Sequence, residues 1–243
     1  MRPLLVLDLE LSGCGRHKEK NRIIAIGACV ISPQYIVQKL TSPNVVFSPE
    51  DIPEKYKFLR YIHDKEALEE VKDLENPGPI WHEPAGSSFW FKQTPTGRAT
   101  LMRTLSLMRG SEMDAKESIV EFEKWLKSMI EEFPDVLLAS DVSNSDFSWL
   151  DHYRLKYLDL NSINFIKGEE KFESPTDLGS YYAGLCGLTN HRNPLQQTFL
   201  LICQRYGFQI PKVKVKHDHN PLHDALQLGL QAMYIMVLLS IPH

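Results

Sequence analysis

The sequence predicts an α/β fold, and three observations predict it. A near-continuous apolar run, Leu4-Leu5-Val6-Leu7, reads as a strand buried on both faces. A second short apolar strand, Val136-Leu137-Leu138-Ala139-Ser140, precedes Phe147, Leu150, Tyr153, Leu155 and Leu158, which recur at roughly helical intervals. Near the end of the chain, Leu222, Ala225, Leu226, Gly229, Leu230, Met233 and Val237 form one apolar face at helical spacing.

The elements follow in order. Strands are expected over about 3–11, 22–31 and 35–48. An insertion comes next, flanked by the loop-forming Pro77-Gly78-Pro79 and Glu83-Pro84-Ala85-Gly86-Ser87-Ser88. A helix is expected over about 94–108. A second amphipathic helix places Ile119, Phe122, Leu126, Met129, Ile130 and Phe133 on one face. The strand at 135–140 leads into the helix after Asp146. Helices follow around 176–186 and 194–206, with Asp177 as the cap of the first. The helix with the last apolar face completes the order.

Composition sets outer bounds. A chain of 243 residues with 43% hydrophobic content can bury one sizeable core, so a single domain is expected. Cys14, Cys29, Cys186 and Cys203 form no C-x-x-C pair, which suits free thiols in the cytoplasm or another reducing intracellular compartment. The N-terminus runs straight into a strand, with no signal-peptide pattern. Gln231 and Tyr234 interrupt the apolar run Leu228–Leu239, which reads as a core helix too short to span a bilayer; no membrane partner is expected. The net charge of −4 is unlike that of a tight duplex binder. Lys212, Lys214 and Lys216 alternate, so on a strand they share one face. They would meet a nucleic-acid backbone there or protect an edge strand.

Three carboxylate-bearing segments carry the chemistry. Asp8 and Glu10 lie two apart on the first strand and project to the same side near its end. Adjacent carboxylates repel and are costly to desolvate, unless the strand simply runs out into solvent. A divalent cation removes that cost, and hard cations such as Mg2+ prefer oxygen ligands. Asp146 sits in the first turn of a helix after the cap-rich stretch Asp141-Val142-Ser143-Asn144-Ser145. Asp141 is its rival. Asp146 is preferred because Trp149 and Leu150, three and four residues on, anchor that helix to the core. Asp224 lies in the first turn of the last helix, where the dipole favours negative charge. His219, five residues earlier, supplies an imidazole suited to a general base that activates water. His217 and His223 crowd the same loop, and His-x-His also fits zinc; the surrounding acids favour a harder metal. Together the segments point to a two-metal phosphodiesterase.

On these residues the chain resembles a DEDDh 3′–5′ exonuclease of the ribonuclease H-like fold. Asp8-Leu9-Glu10-Leu11-Ser12-Gly13 matches the family's first motif, and Ile23-Ile24-Ala25-Ile26-Gly27-Ala28 the apolar strand after it. Asp146-Phe147-Ser148-Trp149-Leu150 resembles the second motif, with Ser145 where Phe is usual. His219 and Asp224 fit the third. Asn220 stands where the sister class carries Tyr. Phe89-Trp90-Phe91-Lys92-Gln93-Thr94-Pro95-Thr96-Gly97-Arg98 resembles the W-W-x-x-Q-x-x-x-A-R stretch of the phage exonuclease A group and its bacterial ribonuclease-like relatives. About 50–85 and 160–175 have no counterpart and read as surface insertions.

The resemblance implies a central mixed β-sheet flanked by helices. It also implies two Mg2+ or Mn2+ ions held by Asp8, Glu10, Asp146 and Asp224, with His219 as the base. Leu11, Ser12, Trp90 and Gln93 become substrate-binding candidates, although aromatics such as Phe89, Trp90 and Phe91 more often pack a core than stack on a nucleotide, and at least one of the three must pack there. The expected partner is the 3′ end of single-stranded RNA or DNA, released as nucleoside 5′-monophosphates. A homodimer is also admitted. A catalytically inactive binding relative and a zinc-histidine hydrolase built on His217, His219 and His223 are the alternatives.

Overall fold

The computed structural model describes residues 1–13, 18, 21–71, 78, 81, 90, 95–141, 143–158, 175–187, 195–215 and 218–241. The elements run β1 (Leu4–Leu11), β2 (Ile23–Ile31), α1 (Pro33–Leu40), β3 (Val46–Phe47), β4 (Lys57–Tyr61), α2 (Lys65–Glu69), α3 (Pro95–Gly110) and α4 (Ala115–Glu132). They continue with β5 (Leu137–Ser140), α5 (Ser143–Tyr157), β6 (Thr176–Asp177), α6 (Leu178–Cys186), α7 (Leu195–Tyr206), β7 (Lys212–Val213) and α8 (Pro221–Ser240).

The central sheet has the order β4-β2-β1-β5-β6. Antiparallel pairing joins β1 to β2 and β2 to β4, while β5 runs parallel to β1 and β6 parallel to β5. The sheet is therefore mixed. Its middle strands are covered on both sides, as their unbroken apolar runs require. Leu4 and Val6 of β1 join Cys29 and Ile31 of β2 beneath Ile36 of α1, Phe199 of α7 and Met233 of α8. Leu5, Leu7 and Leu9 point the other way, against Phe122 and Leu126 of α4 and Leu150 of α5. A third cluster gathers Ile24, Ala67, Trp81 and Trp90 around Leu101 and Leu105 of α3. Each fully buried large apolar side chain contributes roughly 1.5–3 kcal/mol relative to exposure.

This alternation decides where the acids go. Asp8 and Glu10 continue the Leu4–Val6 row, so they emerge on the face that α8 covers. Two glycines let α8 lie against that face. A Cβ on Gly229 would fall 2.9 Å from Ile31 Cγ1 and 3.0 Å from Val6 Cγ2. A Cβ on Gly27 would fall 2.1 Å from the carbonyl carbon of Pro221. On the opposite side, buried Arg154 of α5 ties to Glu123 of α4 at 2.6 Å and to Asp151 at 3.1 Å.

Several boundaries differ from the expectation. The first part of the strand expected over 35–48, residues 35–40, belongs to helix α1. Ser32 accepts a hydrogen bond from the Gln34 N–H, and Pro33 occupies the first turn, where its missing N–H costs nothing. These start signals outweigh the β-branched content, and Ile36 becomes a buried anchor beside the buried Pro33. Only Val46–Phe47 is strand, paired in parallel with β7 in a separate two-stranded sheet. Within the stretch expected as a surface insertion, residues 57–61 form β4 and pair with Cys29–Ala25 of β2. Helix α5 starts at Ser143, with Asp146 in its first turn as expected. The run Leu228–Leu239 belongs to a 20-residue helix that is long and apolar enough to cross a membrane, contrary to its expected shortness. Burial of 67% of its apolar window makes it the core helix. The 160–175 stretch falls outside the described residues up to 174.

Candidate active site

The local sequence builds the site from two element ends. Asn220 caps α8, its side-chain oxygen accepting from the N–H groups of Leu222 and His223. Pro221 fills the first position, and Asp224 follows in the first turn. The loop just before this cap turns sharply: His219 has φ of 56°, in the left-handed region. Such a backbone costs on the order of 1–3 kcal/mol for a residue other than glycine and persists only when neighbours hold it.

Those neighbours are visible. Asp218 accepts from the Asn220 N–H at 3.3 Å and lies 3.1 Å from His223 Nδ1. Arg103 of α3 donates to its other oxygen at 3.1 Å. Burial acts to raise the Asp218 pKa, but the hydrogen bonds from Arg103 and His223 outweigh it and hold the carboxyl below its usual value. The Asp218 N–H in turn donates to Asp224 Oδ1 at 3.2 Å.

The loop delivers His219 to the first strand. Its Nδ1 lies 3.5 Å from Glu10 Oε1. One ligand-capable atom from each of Glu10, His219 and Asp224 lies within 4.8 Å of the others. Asp8 stands beside this group. Burial raises its pKa well above the usual carboxylate value, and repulsion from Glu10, Asp146, Asp224 and Asp141 adds to that. Its Oδ2 is buried with no hydrogen-bond partner. Asp146 is pushed up to about 8, first by burial and then by Asp141, Glu10 and Asp177, while the Ser140 hydroxyl pulls the other way. Asp8, Asp141 and Asp224 also line a common cavity of about 290 Å3.

The structure thus brings Glu10, His219 and Asp224 into one group, with Asp8 and Asp146 in its electrostatic reach. His223 turns to Asp218 instead. Trp90 is fully buried. Its indole N–H donates to the Leu11 carbonyl at 2.8 Å, and its ring meets His219 edge-on at 5.7 Å. Trp90 therefore touches two site residues from within the core. Ser12 is buried as well. Its Oγ accepts from the Arg22 N–H at 2.9 Å, and its own N–H donates to the Arg22 carbonyl, closing the β1–β2 connection. Gln93, Lys216 and His217 lie outside the described residues. Lys212 pairs on β7 beside β3.

Sequence reasoning missed Asp218 and Arg103. Asp218 stands between two histidines that were weighed as ligands, so a signal existed there. Arg103 sits 115 residues away, and nothing in the sequence links it to the loop.

No protein-family model and no curated protein matches the chain. Solved structures do. One is the nuclease domain of 3′hExo, a DEDDh family member bound to rAMP, at TM-score 0.53 and 11% identity, covering 96% of this chain and 91% of that one. The chain has the ribonuclease H-like fold. Cell-death related nuclease 4 (CRN-4) matches at TM-score 0.54 and 12% identity over 98% of this chain, which spans 64% of CRN-4. A full-length 3′-exonuclease matches at TM-score 0.52 and 9% identity, covering 96% of this chain and 81% of that one.

Proposed function

We propose that the protein is a metal-dependent 3′–5′ exonuclease that releases nucleoside 5′-monophosphates from single-stranded nucleic acid. The observation that carries this reading is the meeting of Glu10, His219 and Asp224 within 4.8 Å beside a buried, unpartnered Asp8 oxygen. The shared fold of three solved nucleases supports it, and so does the rAMP bound to one of them.

The residues fit divalent cations. The donors are carboxylate oxygens with a single imidazole, the set that hard metals such as Mg2+ or Mn2+ take. Two buried carboxyls with raised pKa values signal negative charge in need of a counter-ion. Asp8, Glu10, Asp146 and Asp224 would hold two ions. Such ions polarise the scissile phosphodiester and neutralise the charge that develops on it.

The chain's own groups do the rest. Glu10 faces His219 Nδ1 and orients the ring, so that Nε2 accepts the proton of the attacking water. Trp90 backs the imidazole against rotation. Asp218 fixes the strained backbone that carries it. Leu11 presents the β1 end to the terminal nucleotide, with its carbonyl held by Trp90.

A time course on 5′-labelled single strands tests the reading. A ladder descending from full length in Mg2+ or Mn2+, slowed by a 3′-phosphate, is expected. Early internal fragments from a circular strand would show an endonuclease instead.

A further inference from the structure

We propose that the groove between α7 and α8 is a nucleobase pocket, in which Gln196 and Gln227, backed by Gln231, read the base of one nucleotide of the strand being cut. The proposal rests on the exonuclease reading of the carboxylates at the groove's end.

The 290 Å3 cavity that begins at Asp8, Asp141 and Asp224 continues along these glutamines. Asp224, Gln227, Leu228 and Gln231 are spaced i, i+3, i+4 and i+7, so they form one stripe of α8. The stripe runs roughly 10 Å away from the carboxylates at 1.5 Å per residue. Gln196 faces it from the first turn of α7. Leu195 and Leu228 complete the lining and offer apolar surface to the faces of a ring. Among the described residues the lining includes none of Leu11, Ser12, Trp90 or His219, so the groove lies apart from the expected substrate contacts.

The amides are incompletely matched. Gln227 Nε2 donates to Gln196 Oε1 at 2.9 Å, and Gln231 Nε2 donates to the same oxygen at 2.8 Å. Two donors fix Gln196 Oε1 as an acceptor and leave the Gln196 amide nitrogen to serve as a donor. Gln227 Oε1 is buried with no hydrogen-bond partner. Holding α7 to α8 requires no such open acceptor, because an apolar seam of the same shape would serve as well. A donor and an unmet acceptor beside a cavity call for a ligand with the complementary pair. Adenine offers it on one edge, as the N6 amino donor and the N7 acceptor. Guanine presents two acceptors, O6 and N7, on that edge and would leave Gln227 Oε1 unmet.

The test is calorimetric titration of AMP, GMP and ribose 5-phosphate into the full chain in Mg2+. AMP should bind on the order of 10-fold more tightly than GMP, within the discrimination of a good two-point base contact. Gln227→Leu should bring AMP down to the GMP level. Gln196→Ala, at an exposed position, should do the same in a protein whose thermal melt shows that it is folded. Ribose 5-phosphate should bind all three proteins alike. Equal binding of AMP and GMP to the wild type, or a preference that survives both substitutions, would overturn the pocket. Strand hydrolysis measured on the same proteins reads the exonuclease assignment separately. Hydrolysis without an amide-dependent preference rejects the pocket alone, and the preference without hydrolysis supports the pocket while rejecting the exonuclease.

Discussion

Gly27 of β2 and Pro221 of α8 approach so closely that a Cβ on Gly27 would sit 2.1 Å from the Pro221 carbonyl carbon. Gly27 is also the residue opposite Asp8 in the β1–β2 ladder. The one contact therefore sets the start of α8 beside the acidic end of β1, and it brings Asp224 to Glu10.

Gly27→Ala should accordingly damage both fold and site. The neighbour is backbone and cannot rotate aside, so a loss of about 1–3 kcal/mol or more is expected from overpacking. Metal-induced stabilisation should fall with it. Gly110→Ala is the control, because a Cβ there meets nothing within 4 Å. Thermal melts with and without Mn2+ read both effects.

The raised carboxyls predict how the metal-free protein responds to pH. Asp146 in the fold holds its proton up to about 8, whereas an unfolded Asp releases it near 4. Between those values the folded state binds the extra proton, so stability falls as pH rises. Asp8 acts in the same direction. Without metal, the melting temperature should drop from about pH 4 toward 8, and Asp146→Asn should flatten part of that slope. Saturating Mg2+ should reverse the trend. A melting temperature that climbs across this window in chelator would contradict the assignment of burial and repulsion.

The loop histidines should separate. His219→Ala should lower kcat by about 100- to 10,000-fold, the range of a general base, with the four carboxylates left in place. His223→Ala should cost less, since its ring serves Asp218 rather than the cluster. Asp218→Ala removes the acceptor for Arg103, His223 and the Asn220 N–H together. It should lower kcat more than it raises KM, because it frees the backbone that aims His219. Steady-state kinetics on the three variants decides the order.

Glu123→Ala probes the opposite side of the sheet. It leaves buried Arg154 with Asp151 as its remaining acidic neighbour among these pairs. Removing one partner of a buried ion pair costs about 3–5 kcal/mol. Urea unfolding should show the loss, and turnover per folded molecule should hold.

The parts legible in the sequence are those with local periodicity. β1 and β2 are continuous apolar runs, and β1's two-residue period alone placed Asp8 and Glu10 on one face. Helices α4 and α8 carry their apolar faces openly. β4 was hidden because only Phe58 of Lys57-Phe58-Leu59-Arg60-Tyr61 is fully buried, as befits an edge strand. Helix α1 was hidden because its capping signal, Ser32-Pro33, competes with a β-branched pair at Ile36 and Val37. At the site, spacing suggested the acids and His219. The Arg103–Asp218 link joins residues far apart in the chain and exists only after folding. Gln231 reads in the sequence only as an interruption of an apolar run, since its partner Gln196 lies on another helix.

The central claim is that the carboxylate cluster performs hydrolysis. Single-turnover cleavage of a 5′-labelled single strand in saturating Mg2+, comparing wild type with Asp8→Ala and Asp224→Ala, tests it most directly. The wild type should yield a ladder shortening from the 3′ end, and both variants should be inert while melting as folded proteins. Near-normal cleavage by either variant, or a wild type that cuts nothing with any divalent cation, would contradict it.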